Sequence, residues 1–354
     1  MNQRTIETTS PVADFYNFMS GGRARSEEQR NMQAIVFHEY GGPETLKLET
    51  VPKPEPGPDE VLVRVHASSS NAGDWHLMRA DPFLIRLMFG LRRPSINILG
   101  VDTAGQIAAL GAGVTEWRVG DSVYADLTDS GFGGFAEYVV VKAKDLARKP
   151  AGMSYEQAAA VPCAAQTALQ ALRDTGKLKA GMRVLINGAS GGVGHFAVQI
   201  AKAYGAEVTG VCSTRNVELV RSLGADHVID YTQADPTQTE AAYDLILDAA
   251  AFRSMFVWRH ALQPGGTYIV VGGSTARLFQ TMLFGWIGAV FFKRNMRTML
   301  VRPHGRDLDE LTGMIDAGKL APAIDKTYRL REVPEATRYM ETGRARGKVV
   351  ITME

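Results

Sequence analysis

The 354-residue chain has only two cysteines, Cys163 and Cys212. Two thiols exclude a disulfide framework and suit a reducing compartment, so a cytoplasmic protein is expected. Charge of one sign is also lacking. Lys and Arg total 39 against 38 Asp and Glu, a net charge of +1, which gives no reason to invoke nucleic acid. No apolar run reaches the ~20 residues that cross a bilayer. The nearest candidate, LFQTMLFGWIGAVFF at 278–292, is shorter and contains Gln280, Gly285 and Gly288, so no transmembrane segment is expected. Residues 1–31 lack the apolar core of a signal peptide. Their Arg4, Arg23, Arg25 and Arg30 are offset by Glu7, Asp14, Glu27 and Glu28, which weakens a transit-peptide reading. There is no internal repeat and no low-complexity tract.

What is present divides by pattern. Between Met32 and about Leu146 the apolar runs are short and broken by Gly and Pro: QAIVF, EVLVRVHAS, GQIAAL, DSVYA and AEYVVV. They read as strands of a β-rich unit, closer to a partly open barrel than to a wound sheet. From about Ala151 to Leu300 strands and helices alternate, which predicts right-handed βαβ units and a parallel sheet. Its expected strands are 184–187, 207–211, 227–230, 245–248, 267–271 and 298–301. A helix over 308–317 and a final strand over 348–352 follow.

The most informative stretch is GMRVLINGASGGVGHFAVQIAK at 181–202. A short apolar run ends at Asn187. Gly188, Gly191 and Gly194 follow at three-residue spacing. Val193, Phe196, Ala197, Ile200, Ala201 and Tyr204 then recur on one helical face. Strand, glycine turn and helix in this order suit a dinucleotide pyrophosphate: the glycines let the backbone approach the phosphates, and the helix N-terminus offers free N–H groups and a positive dipole end.

The same stretch resembles the signature of the zinc-independent quinone oxidoreductase / zeta-crystallin-like branch of the medium-chain dehydrogenase/reductase superfamily. Leu185, the run Ala189, Ser190, Gly191, Gly192, then Gly194, Gln199 and Lys202 fall at that signature's spacing. The resemblance runs from about Met32 to the C-terminus, through MQAIVFHEYGGPETL, LGVDTAGQIAALGAGVTEWRVGDSVYA and ARGKVVI. It implies an α/β architecture: a GroES-like β-rich catalytic domain from 32–150 and 302–354, and a Rossmann doubly wound parallel-sheet dinucleotide domain from 151–301. Residues 1–31 then form an extension outside the fold, expected to be disordered, and Met32 is an alternative initiator. The resemblance also implies a homodimer.

For the cofactor, an NAD-selective site places an acid at the end of the second strand, about 20 residues after the first glycine. Here that strand ends in Cys212, Ser213, Thr214, Arg215 and Asn216. With no acid, a cation at Arg215 and hydrogen-bonding groups at Ser213 and Asn216, the pattern favours NADP(H). The signature assigns the backbone of Gly188, Ala189, Ser190, Gly191, Gly192, Val193 and Gly194 to the pyrophosphate. Similarity to the family adds Tyr231 beside the adenosine phosphate, Gly272 and Gly273 near the nicotinamide carboxamide, and Thr167 and Lys348 as cofactor contacts. Asp248 ends the fourth strand near the crevice, where strand-end polarity alone accounts for it.

Zinc-dependent relatives take catalytic zinc at positions that correspond here to Asn71, Val101 and Cys163. Catalytic zinc needs three protein ligands and one open position; one thiol does not supply them, so no metal is expected. Without a Lewis acid a simple ketone is a hard substrate. A conjugated carbonyl is easier, because hydride adds at the β carbon and charge spreads onto oxygen, where hydrogen-bond donors and placement suffice. The expected reaction is therefore NADPH-dependent hydride transfer to a quinone or an α,β-unsaturated carbonyl. Enoyl thioester or aldehyde reduction, or cofactor binding with little turnover, are the alternatives. Asn71 and Asp74 match an Asn-x-x-Asp pattern of similar quinone reductases: Asn71 is expected to line the pocket and Asp74 to fix the loop or a ribose hydroxyl. His76 stands where similar enzymes often carry a tyrosine, and its imidazole is a candidate proton donor. Two readings stand for the apolar segment at 278–292, which is followed by Lys293, Arg294 and Arg297: a cap over the substrate cleft or a dimer face, as in similar reductases, or contact with a membrane interface.

Overall fold

A computed structural model describes residues 30–353. Most of the expected N-terminal extension therefore lies outside the described residues, and Asn31 already opens the first strand.

A β-hairpin, β1 (Asn31–Val36) and β2 (Lys47–Pro52), leads into β3 (Glu60–Ser70). The chain continues through α1 (Ala72–Arg79), α2 (Leu84–Phe89), β4 (Asp102–Leu110), β5 (Ser122–Asp126), β6 (Tyr138–Lys142) and β7 (Leu146–Arg148). Helices α3 (Tyr155–Ala159) and α4 (Pro162–Leu169) follow. The alternating part comprises β8 (Arg183–Asn187), α5 (Gly194–Ala203), β9 (Glu207–Cys212), α6 (Val217–Ser222), β10 (His227–Asp230), β11 (Tyr243–Asp248), β12 (Leu262–Val270), α7 (Thr275–Phe292) and β13 (Asn295–Thr298). The chain closes with α8 (Gly305–Asp316), β14 (Ile324–Arg329), α9 (Val333–Glu341) and β15 (Lys348–Thr352).

Two large sheets result. One is six-stranded and parallel, in the order β10-β9-β8-β11-β12-β13. The order reverses between β8 and β11, and a crevice opens outside the carboxyl ends of the strands at such a switch point. The other runs β14-β15-β3-β4-β5-β7, with β6 also paired to β3. Its centre is β3, which buries Val61, Leu62, Val63, Val65 and Ala67 and is covered on both faces from Ala67 to Ser70.

Pairing in this second sheet places the site. β15 runs antiparallel to β3 with Val349 opposite Ser70. The strand at the end of the chain therefore starts beside the residues that follow Ser70. β4 pairs with the other edge of β3, Ala104 opposite Ala67, which brings Asp102 to the same end. The two sheets share one core. The alanines of α3 and α4 (Ala158, Ala159, Ala164, Ala165, Ala168) pack with Ala67, Ala104 and Tyr124 from one sheet and with Val184 and Ile186 from the other, together with Phe196 of α5. Small side chains let these helices lie close to both.

The structure moves several expected boundaries. The last parallel strand is Asn295–Thr298 rather than 298–301. The helix over the apolar segment runs through Gly285 and Gly288 to Phe292, Lys293 caps it in the left-handed conformation, and the chain enters the strand at once, burying Met296. β12 begins at Leu262, earlier than expected. Helices α1 and α2 interrupt the β-rich part. The Asn71–Asp74 pair starts α1: the Asn71 N–H donates to the Asp74 carboxylate at 2.8 Å in a capping-box arrangement.

Candidate active site

The dinucleotide crevice is a cavity of about 500 Å³ lined by Asn187, Gly188, Ser190, Gly191, Arg215 and Tyr231 among others. Each of these follows or ends a parallel strand or opens the helix after it. The glycines differ in what demands them. Gly188 has φ +79°, and a Cβ on Gly194 would sit 2.0 Å from the Gly188 carbonyl oxygen, so turn and helix cannot close with any larger residue there. A Cβ on Gly191 meets only that same oxygen at 3.3 Å, and one on Gly192 meets only ordinary contacts. The protein itself demands little at these two positions. An open backbone facing a groove at a helix N-terminus fits a pyrophosphate. Ala189 is fully buried, and its Cβ lies under β9, near Gly210. Its side chain therefore serves packing rather than the groove. Val193 is the residue before α5 and packs partly into the main core.

At the end of β9, Asn216 donates to the Ser190 hydroxyl at 2.9 Å, while its Oδ1 is buried with no protein partner. Ser213 and Arg215 line the cavity, and Arg215 donates to the Arg344 carbonyl at 2.7 Å. Tyr231 stands on the groove wall, more than half exposed. Gly273 lines the groove at φ +106°, where a Cβ would meet the Ala251 backbone; Gly272 precedes it, packed on Ala249. A second cation, Arg253, lines the same cavity and pairs with Asp235 at 2.5 Å. Sequence reasoning missed it, although it stands just after the fourth strand. Asp248 is buried and accepts from Tyr268 and Asn187, both at 2.7 Å. It ties strands together, and burial raises its carboxyl above the usual range.

On the other side of the crevice three strand ends meet. Lys348, at the start of β15, is almost wholly buried and donates through Nζ to the Asn71 side-chain oxygen at 2.5 Å. Nζ is also 3.4 Å from Asp102 Oδ2. Asn71 Nδ2 donates to the same Asp102 oxygen at 2.8 Å and to the Ser69 carbonyl at 3.2 Å. Ser69 Oγ donates to Asp102 Oδ2 at 2.5 Å, and the Cys163 N–H donates to Asp102 Oδ1 at 2.8 Å. The Asn71 amide therefore spends both of its N–H groups and one acceptor site on the protein. Asn71 is the hub of a buried polar network. Lys348 likewise turns its ammonium inward to Asn71, while its stem passes Gly192 and Gly347 N–H donates to the Ser190 carbonyl at 2.8 Å. The glycine turn and the network are thus joined through the Gly347–Lys348 step. Asp102, Ser69 and the network they form were not read from the sequence. The signal was an acid embedded in the apolar LGVDTAG run.

Asp74 is buried and accepts from the Asn71 and Gly100 N–H groups at 2.8 and 2.9 Å. It fixes the loop, and burial pushes its carboxyl up to about 7. Asp126, buried and close to the Asp102 charge, is likewise pushed up to about 7. Cys163 is partly exposed on α4. Burial of its thiol, with Asp126 nearby, raises the thiol well above its usual value, so it stays neutral. One turn on, Thr167 donates to the Cys163 carbonyl at 2.7 Å. His195, in the first turn of α5, donates through Nδ1 to the Gly191 carbonyl at 2.9 Å, and burial lowers its imidazole to about 4. His76 lies apart from the network on α1. It stacks on Trp75 and donates through Nδ1 to the Asp81 carbonyl at 2.7 Å. Its Nε2 carries a proton to donate only when the ring is an imidazolium.

This combination defines a two-sheet nicotinamide-dependent oxidoreductase. Residues 57–151 match the alcohol dehydrogenase GroES-like domain family and 223–351 the zinc-binding dehydrogenase family. The mitochondrial NAD(P)H oxidoreductase RTN4IP1 of Danio rerio is 36% identical over 329 residues, 84% of this chain and 84% of the relative. The chloroplastic NADPH-dependent alkenal/one oxidoreductase of Arabidopsis thaliana is 33% identical, covering 91% of this chain and 80% of the relative. The quinone oxidoreductase of Coxiella burnetii superposes with a TM-score of 0.81 at 30% identity, over 92% of this chain and 100% of that one. The chain belongs to the quinone oxidoreductase family of the medium-chain dehydrogenase/reductase superfamily.

Proposed function

We propose that this protein is an NADPH-dependent reductase that delivers hydride to quinones or other α,β-unsaturated carbonyls without zinc. The observation that carries the reading is the environment of Asn71. The three positions that hold catalytic zinc in zinc-dependent relatives carry here an amide, the apolar Val101 and a single thiol, and the amide oxygen is bonded to the Lys348 ammonium. A carboxamide, a valine and one thiol do not make the three-ligand donor set that catalytic zinc needs, and among the described residues no three His, Cys, Asp or Glu side chains group to hold a metal. No step runs through zinc.

When bound, the nicotinamide supplies the hydride. The turn from Gly188 to Gly194 would hold its pyrophosphate, and Ser213, Arg215 and Asn216 a 2′-phosphate. Arg253 adds a second cation on the groove wall, and no acid ends β9 to repel a phosphate. Gly272, Gly273 and Thr167 would face the nicotinamide end. The protein's own contribution is placement and hydrogen bonding. Asp74 and the Asn71–Asp102–Lys348 network keep the loop after β3 in one geometry, so a bound conjugated carbonyl meets a preorganised wall. The Cys163 thiol stays protonated as a weak donor, and His76 as imidazolium can return a proton to the reduced oxygen. The division into a catalytic part from 32–150 and 302–354 and a dinucleotide part from 151–301 belongs to this reading, as does a homodimer. The unpaired Cys163 and Cys212 support a reducing, cytoplasmic location.

The test is cofactor oxidation with NADPH and NADH in parallel, in EDTA, against quinones, enones and aldehydes. Turnover on quinones or enones that prefers NADPH and survives EDTA supports the reading. Activity lost in EDTA and restored by zinc overturns it. NADPH binding with no turnover across the panel points instead to a cofactor-binding protein.

A further inference from the structure

We propose that α7 docks the protein flat on a membrane surface that carries anionic lipid. The charges of the chain are unevenly placed. Residues 249–306 contain eight Lys and Arg and no Asp or Glu. With a net charge of +1 overall, the rest of the chain carries −7. Among the described residues, only Arg253 of these eight cations has an acidic partner.

α7 lies at the centre of this stretch. Its inner face, Thr281, Gly285 and Gly288, is buried against β13, where a Cβ on Gly285 would meet the Met296 carbonyl oxygen at 2.4 Å. Its outer face is apolar and open. Met282 is 59% exposed, Trp286 59%, Val290 66% and Phe291 67%, and Leu283 and Phe284 join them. No polar side chain interrupts 282–292. Lys293 ends the helix, and Arg297 follows on the edge strand β13; both are exposed.

A patch of this kind needs an occupant. A second copy of the chain fits poorly, because a two-fold contact sets the same patch against itself and the stretch from 249 to 306, with no acid, offers its own cations no opposite charge. An anionic bilayer offers an apolar layer for Trp286, Val290 and Phe291 together with opposite charge for Lys293 and Arg297. The helix lies on the surface rather than spanning it, since its glycine face is packed on the sheet. This inference does not depend on which carbonyl the site reduces.

The experiment is co-sedimentation of the full-length protein with vesicles of phosphatidylcholine, with and without phosphatidylglycerol, at low and high salt. Pelleting is expected with the anionic vesicles, falling about tenfold or more with neutral vesicles or at high salt. Lys293→Glu with Arg297→Glu should reduce it about tenfold, and Trp286→Glu with Phe291→Glu should remove it, while NADPH affinity and Tm stay unchanged because all four side chains face outward. No pelleting of the unmodified protein overturns the proposal. So does a Trp286→Glu variant that turns a dimer into a monomer with vesicle binding unaltered, which would make the face a contact between copies.

Discussion

The Lys348 ammonium is bonded to the Asn71 amide oxygen at 2.5 Å across 277 residues of sequence. This contact sits beside the buried Asp102 carboxylate, which also takes three hydrogen bonds from Ser69, Asn71 and Cys163. A charge so placed is held by its partners rather than by solvent. Removing the cation leaves the carboxylate short of compensation.

Lys348→Met is therefore expected to cost roughly 3 kcal/mol of stability. Asp102→Asn is also destabilising, and the double variant loses less than the sum of the two, by about 1–3 kcal/mol. Urea unfolding of the four proteins checks this. Additive losses would show that the two groups are not coupled.

The glycine turn separates folding from binding. Gly194→Ala drives a Cβ to within 2.0 Å of the Gly188 carbonyl, so a large fall in Tm is expected. Gly191→Val meets only one oxygen at 3.3 Å on the protein side, so Tm should change little while NADPH affinity falls by about tenfold or more. Calorimetric titration together with thermal melts distinguishes the two effects. Unchanged NADPH binding in Gly191→Val would remove this turn from the cofactor site.

Arg215 separates the two cofactors. Its guanidinium lines the crevice and is held by the Arg344 carbonyl. Arg215→Glu should weaken NADPH by about a hundredfold, through loss of a charge-assisted contact and added repulsion, and NADH by much less. Equal losses for both would mean that Arg215 serves the protein fold rather than a 2′-phosphate.

Stability should depend on pH in a direction set by buried groups. Asp74 and Asp126 titrate at about 7 in the folded chain against an ordinary 3.8. Between those values the folded state binds more protons than the unfolded state, so stability falls as pH rises. His195, lowered from 6.5 to about 4, works in the opposite direction: the unfolded state binds its proton first, and stability rises over that interval. Two carboxyls outweigh one imidazole, so Tm declines from about pH 4 to about pH 7. Asp126→Asn should flatten the decline and His195→Phe should steepen it. A Tm that climbs steadily across this range in the unmodified protein would contradict the assignment.

Much of the dinucleotide half was legible in the sequence. Strand, turn and helix at 183–203 are local events, set by backbone geometry and a 3.6-residue period, and the missing acid after β9 is a matter of composition. Expected strands 227–230 and 348–352 coincide with those observed. The last parallel strand was misplaced because the helix ends at its Lys293 cap and the strand begins only two residues later, at Asn295.

The catalytic side was legible only in part. Asn71 and Asp74 came from the match to an Asn-x-x-Asp pattern of similar quinone reductases, but the Asn71 partners on β4 and β15 were not legible. By itself the sequence determined a glycine turn that can approach phosphates, a second strand with no acid to repel them, and an apolar segment followed by cations. Only the tertiary structure decided that Ser69, Asn71, Asp102, Cys163 and Lys348 form one buried network, that Arg253 faces the crevice, and that α7 leaves its apolar face uncovered. The physical reason is that strand register and packing join residues hundreds of positions apart, and no local pattern records which strand ends will meet.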